Sequence, residues 1–406
     1  MELCTAAFLA ALCFASGASA HQVNSAEQTV VTGTNATGAS LAAAILASAE
    51  RGNLVFSPYS ATMAHLMAAY GCKGDDRKEL LKGLGMQDLV GDQAILQGAG
   101  IQQVLVRVKG NPFTSANAFA TVGDTQAVDA FKAQVQSAFG GEFFALAQNG
   151  ALDAVNTWAA TKSRDRIPKL LDTLPMSQGI LLLNAATFDG EWTVHFEHHH
   201  AFNGEPPNFT IADGTKIVAE TMKRRAAQTR FASAESFDAV SLPYRDGEFT
   251  MLVMLPHVGS RPADALNELQ TLDVAKFIAG MQSGMADVVL PKFTLRSKCD
   301  LTGPLRSIGI NRIFDGFDAR GMATMNQPLP DHVVVDLQRA YIEVDEAGTK
   351  AAAVTAIGIA PTAVIGGSNV KSFVVDRPFV YAIVHKDTGL MVFLGVCSTP
   401  PTANAQ

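Results

Sequence analysis

The chain has 406 residues, a net charge of −7 and a pI near 5.7, with no long basic run. That balance lacks the electrostatic footprint of a nucleic-acid binder. Hydrophobic residues make up 48% and charged residues only 17%, so the chain can bury a large core.

The first element is apolar from Leu3 to Phe14 and is followed by Ser16-Gly-Ala-Ser-Ala20, small residues of the kind signal peptidase accepts. Residues 1–20 therefore read as a signal peptide cleaved after Ala20, with Glu2 standing where a positive residue is usual, and the protein is expected to be secreted. Cys4 and Cys13 would leave with it. Cys72, Cys299 and Cys397 remain, an odd set that cannot pair fully. Three unpaired structural thiols fit, as does one disulfide with a free thiol; their separation gives no metal-ligand spacing. Asn35-Ala-Thr37 and Asn208-Phe-Thr210 are glycosylation sequons for a secreted chain.

The glycines and threonines from Val31 to Ser40 predict a flexible leader over residues 21–40, and Leu41 to Ala49 an alanine-rich helix. Ser57 and Pro58 then open a helix carrying Met63, Leu66, Met67 and Tyr70 at helical spacing. Gln102 to Lys109 and Phe119 to Val122 carry strand-like patches. Ile180 to Phe188 is a largely apolar run suited to a strand buried on both faces. Consecutive histidines such as His198-His-His200 point different ways, so this triplet reads as a solvated turn and not as a metal site. Ala239 to Pro256 reads as a hairpin, Pro262 to Met281 as helix, and Phe373 to Ile383 with Met391 to Gly395 as a buried hairpin. Neither a Gly-x-Ser-x-Gly elbow nor a glycine-rich phosphate loop is present, so an enzyme is not expected.

The most informative stretch runs from Val333 to Phe379. It opens as an alternating strand, passes Glu346-Ala-Gly-Thr-Lys350, and carries no charge from Ala351 to Val370. Gly358, Pro361, Gly366 and Gly367 make that run a poor membrane span. On period-two alternation Thr349, Ala351, Ala353, Thr355 and Ile357 share one face and Lys350 takes the other. The segment has the pattern of a strand still waiting for a sheet.

These residues resemble the serpins (serine protease inhibitors). Glu346, Gly348, Thr349, Ala351, Ala352, Ala353 and Thr355 match that family's hinge. Asn53 to Ser60 matches its Phe-Ser-Pro motif, Phe188-Asp-Gly-Glu-Trp192 its turn signature, and Phe373 to Ile383 its most specific segment. The resemblance implies one α+β domain over residues 41–400, followed by a tail at 401–406. It would hold three β-sheets, about nine helices and an exposed reactive centre loop at about 346–372. It also implies a shutter of Ser57, Ser60, Asn184 and Gln338, where Gln338 replaces the usual His and must bond Asn184 and Ser57 through an amide. Trp192 is expected at the breach, where the loop first enters the sheet.

The implied activity is single-use inhibition of a protease by insertion of the cut loop, with no catalytic residue, cofactor or metal of the chain's own. Family spacing from Glu346 places the reactive bond at Thr362-Ala363, with bonds from Ala360 to Ile365 also compatible. No Lys or Arg lies nearby, so the expected target is an elastase-like or subtilisin-like serine protease, or a cysteine protease, and not a trypsin-like enzyme. The helical region before Phe119 lacks a basic stripe, so no strong heparin site is expected; a monomer is. A non-inhibitory carrier or chaperone is the competing reading.

Overall fold

The computed structural model describes residues 21–48, 52–122, 126–146, 150–174, 179–199, 208–324, 333–349 and 370–402. Its organising element is a seven-stranded sheet that runs in the order Glu142–Leu146, Phe113–Val122, Gly179–Phe188, Val333–Val344, with Phe293–Asp300 on the far side of the last. Gly179–Phe188 and Val333–Val344 are parallel and directly paired, setting Leu182 opposite Asp336 and Asn184 opposite Gln338. The junction between these two strands is the seam. At its end, Gly348–Thr349 pairs antiparallel with both Val344 and Gly190–Glu191.

A nine-stranded sheet lies behind. It runs Leu54–Phe56, Leu390–Cys397, Phe379–His385, Phe249–Pro256, Phe237–Pro243, Thr221–Ser233, Gln282–Pro291 and Lys371–Val374, with Glu197–His199 on the flank of Thr221–Ser233. A bulge between Arg224 and Ala227 separates the half of Thr221–Ser233 that pairs with Glu197–His199 from the half that pairs with Phe237–Pro243, dividing the sheet in two. With that division, three large sheets result among the described residues, as expected, beside two two-stranded pairs. Phe249–Pro256, Phe379–His385 and Leu390–Cys397 are buried at every residue, which explains why these strands read as unbroken apolar runs.

The helix Pro58–Gly71 lies in the core between the sheets, with Ser57 as its N-cap and Pro58 in its first turn. The chain's two ends meet in the same region: Leu54–Phe56 pairs with Leu390–Cys397, and the Asn35 amide bonds Gly389 O at 2.8 Å and Met391 N at 2.9 Å.

Three expectations are corrected. Residues 21–40 are not a flexible leader but the greater part of a 24-residue helix, Ser25–Ser48. Asn24 and Glu27 cap it reciprocally, each side chain accepting the other's backbone N–H at 2.9 and 2.8 Å. Its glycines mark close packing: a Cβ on Gly38 would sit 2.5 Å from Pro58, and one on Gly33 2.7 Å from Met86. Within 102–109 the structure has a short helix, Gln102–Val106, in which Leu105 alone is buried. His198 and His199 belong to the strand Glu197–His199, not to a turn.

Candidate functional site: the hinge and the sheet seam

Four of the anticipated residues converge under the middle of the seam. Gln338 is fully buried and grips the backbone of Ser57 from both sides, its Oε1 accepting from Ser57 N at 2.6 Å and its Nε2 donating to Ser57 O at 3.0 Å. The Ser57 hydroxyl donates to Val392 O at 2.7 Å and accepts from Ser60 N at 3.3 Å, while Ser60 Oγ meets Ser115 Oγ at 2.6 Å. Asn184 departs from expectation. It lies opposite Gln338 in the ladder but gives its amide to Asn117 Oδ1 and Ala116 O, and its own buried Oδ1 has no partner among the described residues. Gln338 therefore ties the seam strand to the helix below and not to its neighbour across the seam.

A second tie escaped the sequence reading. His65, on the same helix, is fully buried and bonds Asp336 Oδ2 of the seam strand through Nε2 at 2.7 Å, while Nδ1 meets Ala61 O at 2.7 Å. Both partners accept only, so satisfying both contacts puts a proton on each ring nitrogen. Burial pulls the imidazole towards neutrality, but the Asp336 charge and the two hydrogen bonds outweigh it and raise its pKa above 6.5.

Trp192 is fully buried at the end of the seam. It stacks on Tyr244 with ring centres 4.6 Å apart and donates its indole N–H to Asp345 O at 2.9 Å. Trp192 N and Phe196 N hold the carbonyls of Ala347 and Glu346, each at 2.9 Å. Asp345 closes the turn by accepting from Ala347 N and Gly348 N. Gly348 is required by proximity and not by a reversed backbone, since its φ is not positive and a Cβ there would fall 2.2 Å from Gly190 O. Thr349 is fully buried, with its hydroxyl 2.7 Å from Tyr244 OH. The hinge thus begins inside the sheet. Glu346 meets His198 Nδ1 at 2.9 Å and Lys292 Nζ at 3.3 Å. Burial pushes its carboxyl up, yet these partners hold it below the ordinary carboxylate value.

Ala351, Ala352, Ala353, Thr355 and the bond Thr362-Ala363 lie outside the described residues. Val370 is the next described residue, and Lys371–Val374 joins the nine-stranded sheet parallel to Gln282–Pro291. The two ends of the undescribed segment thus belong to different sheets.

The two sequons differ. Asn35 is buried in the first helix, and its amide is committed to Gly389 and Met391, so no glycan can be attached in the folded protein; this expectation is corrected. Asn208 is exposed on a short strand, Asn208–Thr210. Cys72, Cys299 and Cys397 are all free and buried.

A family model described as serpin (serine protease inhibitor) matches residues 32–400. Iripin-2 of Ixodes ricinus is 32% identical over 368 residues, covering 86% of this chain and 88% of that protein. Glia-derived nexin of Homo sapiens is 33% identical over 260 residues, covering 62% and 63% of the respective chains. Among solved structures, the thermophilic serpin tengpin in its native state superposes with a TM-score of 0.81 at 22% identity, covering 94% of this chain and 96% of its own. Native protease nexin-1 with heparin gives 0.75 at 26%, covering 92% of this chain and 100% of its own.

Proposed function

The chain belongs to the serpin family, and on that premise we propose that it is a secreted suicide inhibitor that traps an elastase-like or subtilisin-like protease by inserting its cut loop into the seam. The observation that carries this reading is the pairing of Gly179–Phe188 directly with Val333–Val344, with Gly348–Thr349 already seated antiparallel to both flanks. The seam is closed, and the strand that can open it is aligned at one end.

A target protease attacks the loop bond, Thr362-Ala363 by spacing, and becomes acylated. Release of the downstream half frees residues 350–362 to extend the seated hinge along the seam. Insertion breaks one parallel ladder, which spans Val333 to Tyr341, and forms antiparallel ladders on both sides. The net gain is one ladder, roughly eight to ten backbone hydrogen bonds at about 1 kcal/mol each. Trp192, Tyr244 and Asp345 fix where insertion starts; Gln338 and His65 resist until the seam strand lets go of the helix. Carrying the attached protease along distorts its active site, and loss of one oxyanion donor alone slows deacylation about a hundredfold or more.

The small, uncharged hinge supports inhibition over a carrier role, because every inward residue must enter the sheet before deacylation frees the protease. Secretion is supported by the apolar stretch ahead of His21 and glycosylation by the exposed sequon at Asn208. The test is incubation with elastase, subtilisin, chymotrypsin and trypsin. An SDS-resistant adduct with either of the first two is expected, together with a released C-terminal peptide whose mass identifies the bond. Cleavage without an adduct, and without a rise in melting temperature of the cut protein, would refute the mechanism.

A further inference from the structure

A cleft of about 300 Å³ opens beside the seam, lined by Arg166, Lys169, Arg296, Lys298, Arg339 and Tyr341. Five cations around one cleft stand out in a chain of net charge −7. Their carboxylate partners are few: Asp172 is shared by Lys169, Lys298 and Arg339, and Asp189 pairs with Arg166. The Asp172 carboxyl is held below its ordinary value by Lys298 and Lys169. Arg296 has no carboxylate partner among the described residues. Its guanidinium lies over the Tyr341 ring, 4.6 Å from the centroid, and Arg339 is fixed by a 2.8 Å bond from Nε to Leu170 O. The two planar, permanently charged groups are thus oriented before any ligand arrives, which suits bidentate recognition of tetrahedral oxyanions.

We propose that this cleft binds a compact polyanion bearing clustered phosphate or sulfate esters. The site is separate from the helical region before Phe119, where Gly91–Ala99 and Gln102–Val106 contain no Lys or Arg. Its position gives the ligand leverage. Ile167, Leu170 and Leu171 pack against Leu181 and Leu183 on one seam strand and Leu337 and Tyr341 on the other, so residues 163–172 roof the seam. A polyanion bridging Arg166 and Lys169 on the roof to Arg296, Lys298 and Arg339 on the strands clamps it. Any effect of the clamp on inhibition rests on the insertion mechanism proposed above; binding does not.

The experiment is calorimetric titration of the full chain, with no protease present, using inositol hexakisphosphate and sucrose octasulfate as separate arms and sodium sulfate as the ionic-strength control. Saturable binding with one ligand per chain is expected for at least one of the two esters, weakening as salt is raised. Binding of one arm alone assigns phosphate or sulfate as the source. Arg296→Ala/Lys298→Ala should lower affinity at least tenfold, since each removes a charge-assisted contact. Lys298→Glu, which reverses an exposed charge, should abolish binding, and Lys276→Ala on a remote helix should leave it unchanged. Failure of both esters to saturate, or equal affinity in the wild type and the double variant, would overturn the site. A chain that binds but forms no protease adduct would retain the site and refute only the insertion mechanism.

Discussion

Replacing Thr349 by Arg tests the hinge where its geometry is tightest. Thr349 is fully buried, its hydroxyl bonds Tyr244 OH at 2.7 Å, and the adjoining Gly348 leaves 2.2 Å between a hypothetical Cβ and Gly190 O. Arginine forfeits that hydrogen bond, about 1 kcal/mol, and brings an unpaired guanidinium to a site that excludes water, a cost of several kcal/mol. The guanidinium keeps the hinge out of its seat in the intact protein, and having to bury it on insertion adds about 4 kcal/mol to the barrier, so insertion slows about a thousandfold and deacylation wins the competition. Titration of a susceptible protease should show the stoichiometry of inhibition rising steeply, with cut inhibitor accumulating on SDS gels in place of adduct. Thr349→Val, which loses only a hydroxyl bond already made before insertion, should leave the stoichiometry close to that of the wild type. An unchanged stoichiometry for Thr349→Arg would show that inhibition does not need this residue in its seat in the sheet.

His65→Phe strands the Asp336 carboxylate and should destabilise the intact protein by about 3–5 kcal/mol, with much of the loss recovered in His65→Phe/Asp336→Ala; denaturant titration of all three decides this. Because the folded imidazole pKa is raised, its stabilisation is complete below its ordinary 6.5 and is lost as pH rises through the higher folded value. The midpoint of the wild type, but not of the double variant, should therefore fall as pH is raised above about 6.5. Peptide mapping of protein from a secreting host should find glycan on Asn208 and none on Asn35, whereas Asn35→Ala should cost about 2–4 kcal/mol through two stranded backbone groups. Burial pushes the thiols of Cys72 and Cys299 up to about 12 and that of Cys397 higher still, so none should react with a thiol reagent until the protein unfolds.

The seam strands were legible because each carries a run that makes sense only in a buried sheet: Ile180 to Phe188 is apolar except for Asn184 and Thr187, and the alternation of Val333 to Val344 leads into a hinge of small residues. The first helix was misread because Gly33 and Gly38 were weighed as flexible when they permit close approach; the Asn24–Glu27 capping pair was the signal that could have found it. The Gln102 segment was misread because its β-branched residues favour strand locally, while in the helix only Leu105 is fully buried and Val104 partly so. His65 and Asp336 are 271 residues apart, and nothing local to either reveals the other. The basic cleft is likewise assembled from three separate segments, each of which carries only two cations or one.

The meeting of the chain's two ends has a consequence for biosynthesis. Asn35 finds its partners at Gly389 and Met391, and Leu54–Phe56 pairs with Leu390–Cys397, so the earliest-made elements are completed by some of the last. While the ribosome is still working, the apolar side of the first helix, including Leu41 and Ile45, lacks the surface that will cover it, and it requires either time or a chaperone. A premature stop anywhere before Leu390 leaves an orphaned start as well as a missing end, which makes such products substrates for quality control and poor starting points for minimal versions of the protein.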